Sequence, residues 1–172
     1  MAFKITLITG GARSGKSKYA LDLALQYPNP AFIATAQPTD QEMEARIKAH
    51  QEERAGQFVT IEAPLDLDTA IAHLPEGTGV VVVDCLTLWL NNLLFKFGEQ
   101  GHDSSVEALL DRLKNLSCPV IFVTNELGMG LVPEHPLSRA FRDMAGRLNQ
   151  QIAGVADEVV LMVCGLPLPV KS

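Results

Sequence analysis

Residues 10–17 read GGARSGKS, which satisfies the pattern G-x-x-x-x-G-K-[ST] at every defined position. In such a loop the backbone N–H groups of Gly10, Gly11, Ala12, Arg13, Ser14 and Gly15 can cradle a polyphosphate at the positive end of the helix that follows. The Lys16 ammonium can then reach the terminal phosphates, and the Ser17 hydroxyl can ligate Mg²⁺. The preceding ITLIT reads as a buried strand and the following KYALDLALQ carries a helical apolar pattern. Strand, glycine loop and helix are the context this chemistry needs, so the chain is expected to bind a nucleotide.

Two further segments could join that site. Asp84 ends the apolar run 80–83, where a carboxylate can hold the Mg²⁺ shell or accept hydrogen bonds from a nucleotide. Aspartate is also favoured at a strand-ending turn or a helix N-cap, but beside the phosphate loop the functional reading is preferred. In QEMEARIKAHQEER (41–54), Arg46, His50 and Arg54 are spaced i, i+4, i+8 and share one helical face. Guanidiniums a turn away on each side disfavour the imidazolium and can grip phosphate oxygens. A neutral imidazole so placed could attack phosphorus. The same spacing also describes a solvated surface histidine.

Other reactive side chains offer less. His73, His102 and His135 have no metal-ligand spacing. Cys85, Cys118 and Cys164 form neither a zinc pattern nor an even disulfide framework, and Cys85 reads as a small buried hydrophobe. The segment TNELGMGLVP (124–133) is a connector or a wall and gate of the site. Arg139, Asp143 and Arg147 share a face of a long helix ending near Gly154, a pattern that usually marks a solvated face.

These residues must be positioned by a β–α alternation. Strands are expected at 4–9, 31–35, 58–62, 80–84, 120–124 and 158–163, with helices beginning near Lys16, Gln41, Leu65, Leu86, Val106 and Leu137. Runs such as VVVVD and PVIFVT are continuously apolar, as strands covered on both faces must be. The expected architecture is a single-domain α/β fold over residues 1–172, of the P-loop NTPase type. Its three layers flank a mostly parallel central sheet with the ligand crevice at the strands' carboxyl ends. Thr39 with Glu42, and Ser104 with Glu107, have capping-box spacing. The stretch Leu86–Phe97 is apolar on nearly every side, which calls for deep burial or cover by another subunit.

Composition narrows the class. A 47% apolar content excludes a largely disordered chain, and the net charge of −6 argues against a nucleic-acid or anionic-membrane binder. No apolar run is long enough to span a bilayer and no signal-peptide layout is present, so no membrane insertion is expected. Isolated cysteines fit a reducing, cytoplasmic setting.

Taken together, GGARSGKS (10–17), IATAQ (33–37), EMEARIKAHQEER (42–54), VVVDCLTLWLNNLL (81–94), TNELGMGLVP (124–133) and FRDMAGRLNQ (141–150) resemble one family. It is the bifunctional adenosylcobinamide kinase / adenosylcobinamide-phosphate guanylyltransferase family of adenosylcobalamin synthesis. The resemblance runs from the first strand to Val163. It implies phosphorylation of the aminopropanol hydroxyl of adenosylcobinamide by ATP or GTP. It next implies transfer of GMP from GTP to adenosylcobinamide phosphate through a guanylylated histidine, which matches His50. By the same resemblance, Ala34, Thr35 and Ala36 line the nucleotide site. Gln51, Glu52, Glu53 and Arg54 form another nucleotide-contacting stretch, and Glu62 and Asp84 are acidic nucleotide-binding positions. Some members carry glutamate in place of Asp84 or a second histidine where Ala49 stands. Members of this family form homotrimers. Against this reading stand a kinase for another small molecule, with His50 structural, and a non-catalytic nucleotide-binding regulator.

Overall fold

The computed structural model describes residues 3–38, 41, 48, 51, 52, 54, 56–98 and 102–172. Strands and helices follow one another as β1 (Ile5–Gly10), α1 (Lys16–Ala24), β2 (Pro30–Ala34), β3 (Val59–Glu62), α2 (Leu67–Ala72) and β4 (Val80–Asp84). Then come α3 (Leu86–Phe97), α4 (Asp103–Leu113), β5 (Val120–Val123), α5 (Pro136–Val155), β6 (Glu158–Val163) and β7 (Leu166–Lys171). The strands form one 7-stranded sheet in the order β3-β2-β4-β5-β1-β6-β7. Every neighbouring pair is parallel except β6 and β7, an antiparallel hairpin.

Strand alternation divides the core into two layers. Leu7, Ile33, Val81, Val83 and Phe122 face α2, α3, α4 and α5. Ile8, Phe32, Val80, Val82, Ile121 and Val123 face the opposite way, onto α1. Both faces of the central strands are therefore apolar, the physical reason their sequences read as unbroken hydrophobic runs. Helix α1 meets the sheet through Ala20 and Ala24, both fully buried, and these small side chains let its backbone approach closely. The phosphate loop sits at that approach.

The expected strands recur with shifts of a residue or so at their ends, and β4 and β6 coincide with expectation. Helix α3 buries the inner part of its apolar sequence. Leu86, Trp89, Leu90 and Leu93 are buried in the core, and the Trp89 indole Nε1–H donates to the Leu65 carbonyl at 2.6 Å. Its outer end differs: Phe95 is 84% exposed. Ser104 and Glu107 do not build a capping box, because α4 already begins at Asp103 with His102 at its N-cap and no side-chain cap bond. The Thr39–Glu42 pair lies outside the described residues. Strand β7 falls in a tail whose structure the sequence left open. Among the described residues, no helix is long and apolar enough to cross a membrane.

Candidate active site

Glycine is required at the start of the phosphate loop by space as well as torsion. Gly10 has φ 149°, and a Cβ there would lie 2.6 Å from the Met162 carbonyl oxygen. Gly15, at φ 95°, caps α1, and a Cβ on it would come within 3.2 Å of the Gly165 Cα. The loop is braced from both sides: Gly10 O accepts the Glu126 N–H and Ser14 O accepts the Gly165 N–H, each at 3.0 Å. Helix α1 has no side-chain N-cap and no acidic residue in its first turn. Its first N–H groups and dipole therefore favour an anionic ligand. Lys16 is buried and its ammonium donates to Gly11 O and to Ser14 Oγ, so the charge is held inside the loop.

The acidic positions lie along the same edge. Ala34 is in register with Glu62 on one side and Asp84 on the other, and Asp84 with Val123. Glu62 is exposed and Asp84 half-buried at the strands' carboxyl ends. Thr35, fully buried, does not offer its hydroxyl to the crevice. That hydroxyl donates to Cys85 O at 2.8 Å and accepts the Cys85 N–H at 2.7 Å. The Thr35 backbone is tied in as well: its N–H donates to Asp84 O at 3.2 Å, and its carbonyl accepts the Asn92 amide at 2.8 Å. Thr35 thus fixes the peptide after Asp84, a cis Asp84–Cys85 bond. Burial, reinforced by the Asp84 charge, pushes the Cys85 thiol up to about 12. Such a thiol stays protonated, which agrees with a packing role.

Of the 41–54 segment, Gln51 and Glu52 are exposed and helical, whereas Arg54 is buried. The Arg54 guanidinium stacks 3.6 Å over the Phe32 ring, itself edge-on to Phe58. Arg54 thereby anchors the segment's end to β2. Arg46, His50 and Glu53 lie outside the described residues.

Thr87, Thr124 and Asn149 stand in the sequence only inside longer motifs, with no role of their own assigned. The Thr87 hydroxyl accepts the Asn125 N–H at 2.9 Å and meets the Thr124 hydroxyl at 3.3 Å. Thr124 donates to Asn149 Oδ1 at 2.8 Å, and Asn149 Nδ2 donates to Asn125 O at 3.1 Å. Helices α3 and α5 so pin the start of the TNELGMGLVP loop. The only hint was a polar residue at a core-facing position of each helix.

That loop is a wall. Glu126, Leu127 and Gly128 line a cleft of about 570 Å³ between the loop, α5 and the sheet, with Thr9, Asp143, Arg147 and Gln150 among its other residues. On α5, Asp143 and Arg147 are exposed, as a solvated face requires, and Arg139 is half-buried. Arg139 donates to Pro133 O at 3.0 Å and Glu134 O at 2.6 Å, whereas Asp143 and Arg147 face the cleft. His135 is the N-cap of α5, accepting the Leu137 N–H.

Comparison with known proteins accounts for almost the whole chain. Residues 6–170 match the family described as cobinamide kinase / cobinamide phosphate guanyltransferase. The chain is 40% identical over 178 residues to the bifunctional adenosylcobalamin biosynthesis protein CobU of Salmonella typhimurium, covering 96% of this chain and 98% of that one. It is 45% identical over 167 residues to the bifunctional adenosylcobalamin biosynthesis protein CobP of Pseudomonas aeruginosa, covering 96% of each. Among solved structures, a Pyrococcus horikoshii protein superposes with a TM-score of 0.60 at 10% identity, covering 98% of this chain and 86% of that one. An ATPase of a bacterial type III secretion system superposes with a TM-score of 0.56 at 13% identity, over 92% of this chain and 50% of that one. Those two likenesses bear on fold alone. The near full-length match places this chain in the cobinamide kinase / cobinamide phosphate guanyltransferase family.

Proposed function

We propose that this protein phosphorylates adenosylcobinamide and then converts the phosphate to adenosylcobinamide-GDP. The observation that carries the reading is a braced, intact phosphate loop inside a family match spanning residues 6–170. In the first reaction the aminopropanol oxygen attacks the γ-phosphorus of ATP or GTP. The bridging P–O bond breaks, the nucleoside diphosphate leaves, and the hydroxyl proton passes to solvent. The loop amides, the α1 N-terminus and Lys16 hold the charge that builds on the departing oxygens.

In the second reaction His50 is the nucleophile. Its neutral ring nitrogen attacks the α-phosphorus of GTP, a P–N bond forms, and pyrophosphate departs. An oxygen of adenosylcobinamide phosphate then attacks the same phosphorus, the P–N bond breaks, and the imidazole returns neutral. Splitting the transfer lets the acceptor enter after pyrophosphate has gone. Gln51, Glu52, Glu53, Arg54, Glu62 and the Ala34–Thr35–Ala36 segment surround the nucleotide in this reading. The seating of Arg54 on Phe32 supports it by tying the histidine segment to β2.

The donor set suits Mg²⁺, a hard cation that takes oxygen ligands. Ser17 offers a hydroxyl in the first turn of α1 and Asp84 a carboxylate at the carboxyl end of β4. Bound with the nucleotide, Mg²⁺ would neutralise charge on the leaving phosphates. A homotrimer in the cytoplasm belongs to the same proposal, and sedimentation velocity measures the first part of it.

Incubation with GTP radiolabelled at the α-phosphate, followed by denaturing electrophoresis, tests the reading. Label stable to alkali, lost in acid and absent from His50→Ala is expected. An unlabelled protein that still phosphorylates adenosylcobinamide would reduce the activity to a kinase.

A further inference from the structure

We infer that the cleft between α5 and the TNELGMGLVP loop is the acceptor subsite, and that Arg147 receives the phosphate of the phosphorylated corrinoid arm. The inference rests on the function proposed above and names the residues that take its second substrate.

Position comes first. The cleft lies on the sheet face covered by α5, whereas α1 covers the other face. The two compartments meet at Gly10: its carbonyl accepts the Glu126 N–H, and Thr9, one residue earlier, lines the cleft. A ligand in the cleft therefore shares a wall with the phosphate loop without competing for the loop's amides. That is what an acceptor needs when the nucleotide's phosphates occupy the loop.

The polar groups of the cleft divide into committed and uncommitted. Asn149 is committed to Thr124 and Asn125, Arg142 to Asp143 at 3.1 Å, and one Glu126 oxygen to the Gly128 N–H at 2.7 Å. The Thr9 hydroxyl is buried with no hydrogen-bond partner among the described residues. Arg147 and Gln150 line the cleft as solvent-exposed side chains, and neither makes a side-chain hydrogen bond or ion pair among the described residues. A hydroxyl and a carboxamide suit the neutral amide and alcohol groups of an aminopropanol arm. An uncommitted guanidinium suits the phosphate monoester that the first reaction makes from that alcohol. The cleft thus holds groups for the acceptor both before and after phosphorylation. Arg147 distinguishes the two states.

Gly146 supplies a steric test. It lines the cleft from α5, and a Cβ at this position would meet nothing within 4 Å, so the first carbon of the Gly146→Leu side chain has room. Leucine also favours the helix over glycine. Steady-state kinetics of both reactions would be measured for Gly146→Leu and Arg147→Ala, beside labelling by GTP, which involves no acceptor. Gly146→Leu is expected to raise the KM for the corrinoid in both reactions. Arg147→Ala is expected to raise the KM for adenosylcobinamide phosphate by about tenfold or more, as loss of a charge-assisted hydrogen bond requires, and to spare that for the unphosphorylated alcohol. Labelling should keep its rate in both variants.

Unchanged corrinoid KM values in both variants would overturn the inference. So would a rise in the KM for GTP during labelling, which would give the cleft to the nucleotide. An unmodified protein that takes no label would instead count against the guanylyl-transfer reading. Equilibrium dialysis followed by corrinoid absorbance would then still decide the cleft. Weaker adenosylcobinamide phosphate binding by Arg147→Ala supports it, and equal binding by both variants overturns it.

Discussion

At the residue scale, Lys16 and Thr35 have similar burial and opposite duties. Lys16 holds its ammonium inside the loop against Gly11 O and Ser14 Oγ, poised to exchange those partners for phosphate oxygens. Lys16→Met should lower kcat in both reactions by about 100–1000-fold, the loss typical of one stabilising donor. Thr35 spends its hydroxyl on both the N–H and the carbonyl of Cys85. Thr35→Val keeps the shape but leaves the buried Cys85 N–H unpaired, while the Cys85 carbonyl keeps the Trp89 N–H, a cost of about 1–3 kcal/mol that urea unfolding followed by Trp89 fluorescence would record. Thr35→Ser should recover most of it. Cys85 adds a pH dependence. Its thiol is raised in the folded chain from 9.0 to about 12, so the proton is held more tightly folded than unfolded. The resulting stability is fully present below about pH 9 and is lost as pH climbs toward 12, a decline that Cys85→Ala should flatten. In native protein at neutral pH a disulfide reagent should modify exposed Cys164 and spare buried Cys85 and Cys118.

At the element scale, the parts legible in the sequence were those whose physics is local. The phosphate loop is a contiguous pattern, and strands buried on both faces announce themselves as apolar runs, so β4 and β6 emerged with their full extents. The Thr35–Cys85 and Thr87–Asn125 bonds join residues far apart in the chain, and no spacing encodes such pairings. Glu62 entered as a nucleotide-binding position by family resemblance and Asp84 also from its place at the end of an apolar run, but their placement on either side of Ala34 was not legible, because the lateral order of parallel strands is not written in any one of them. Strand β7 was hidden for a different reason. Pro167 and Pro169 argue against a central strand, but β7 is the sheet's edge, where missing N–H donors are tolerated. Its turn matters to the site because Gly165, at φ 81°, donates to Ser14 O in the phosphate loop. Gly165→Val forces a β-branched residue into the left-handed region, at about 1–2 kcal/mol or more, with open space around the new side chain. The hairpin turn should open, and the KM for GTP in the labelling reaction should rise while that for the corrinoid stays. An unchanged KM for GTP would show that the brace from Glu126 suffices alone.

At the scale of the whole molecule, two compartments on opposite faces of one sheet should report separately on stability. A ligand that binds only the folded chain raises its stability by about 2.7 kcal/mol at a hundredfold excess over Kd. For a chain of this length that corresponds to roughly 5–10 °C in Tm, at about 2–4 °C per kcal/mol. GTP with Mg²⁺ should produce such a shift in the unmodified protein and much less of it in Lys16→Met. Adenosylcobinamide phosphate should produce its own shift, absent from Gly146→Leu, which keeps the full response to GTP. Independent sites add within a few tenths of a kcal/mol, whereas groups sharing a wall couple. The Glu126 N–H to Gly10 O bond is the shared wall here. With a non-hydrolysable GTP analogue in place of GTP, thermal scans with each ligand and with both should therefore give a combined shift that departs from the sum of the separate ones. Strict additivity would mean that the cleft and the loop, though adjacent, do not sense each other's occupancy. The order of the two half-reactions would then be set by His50 chemistry alone.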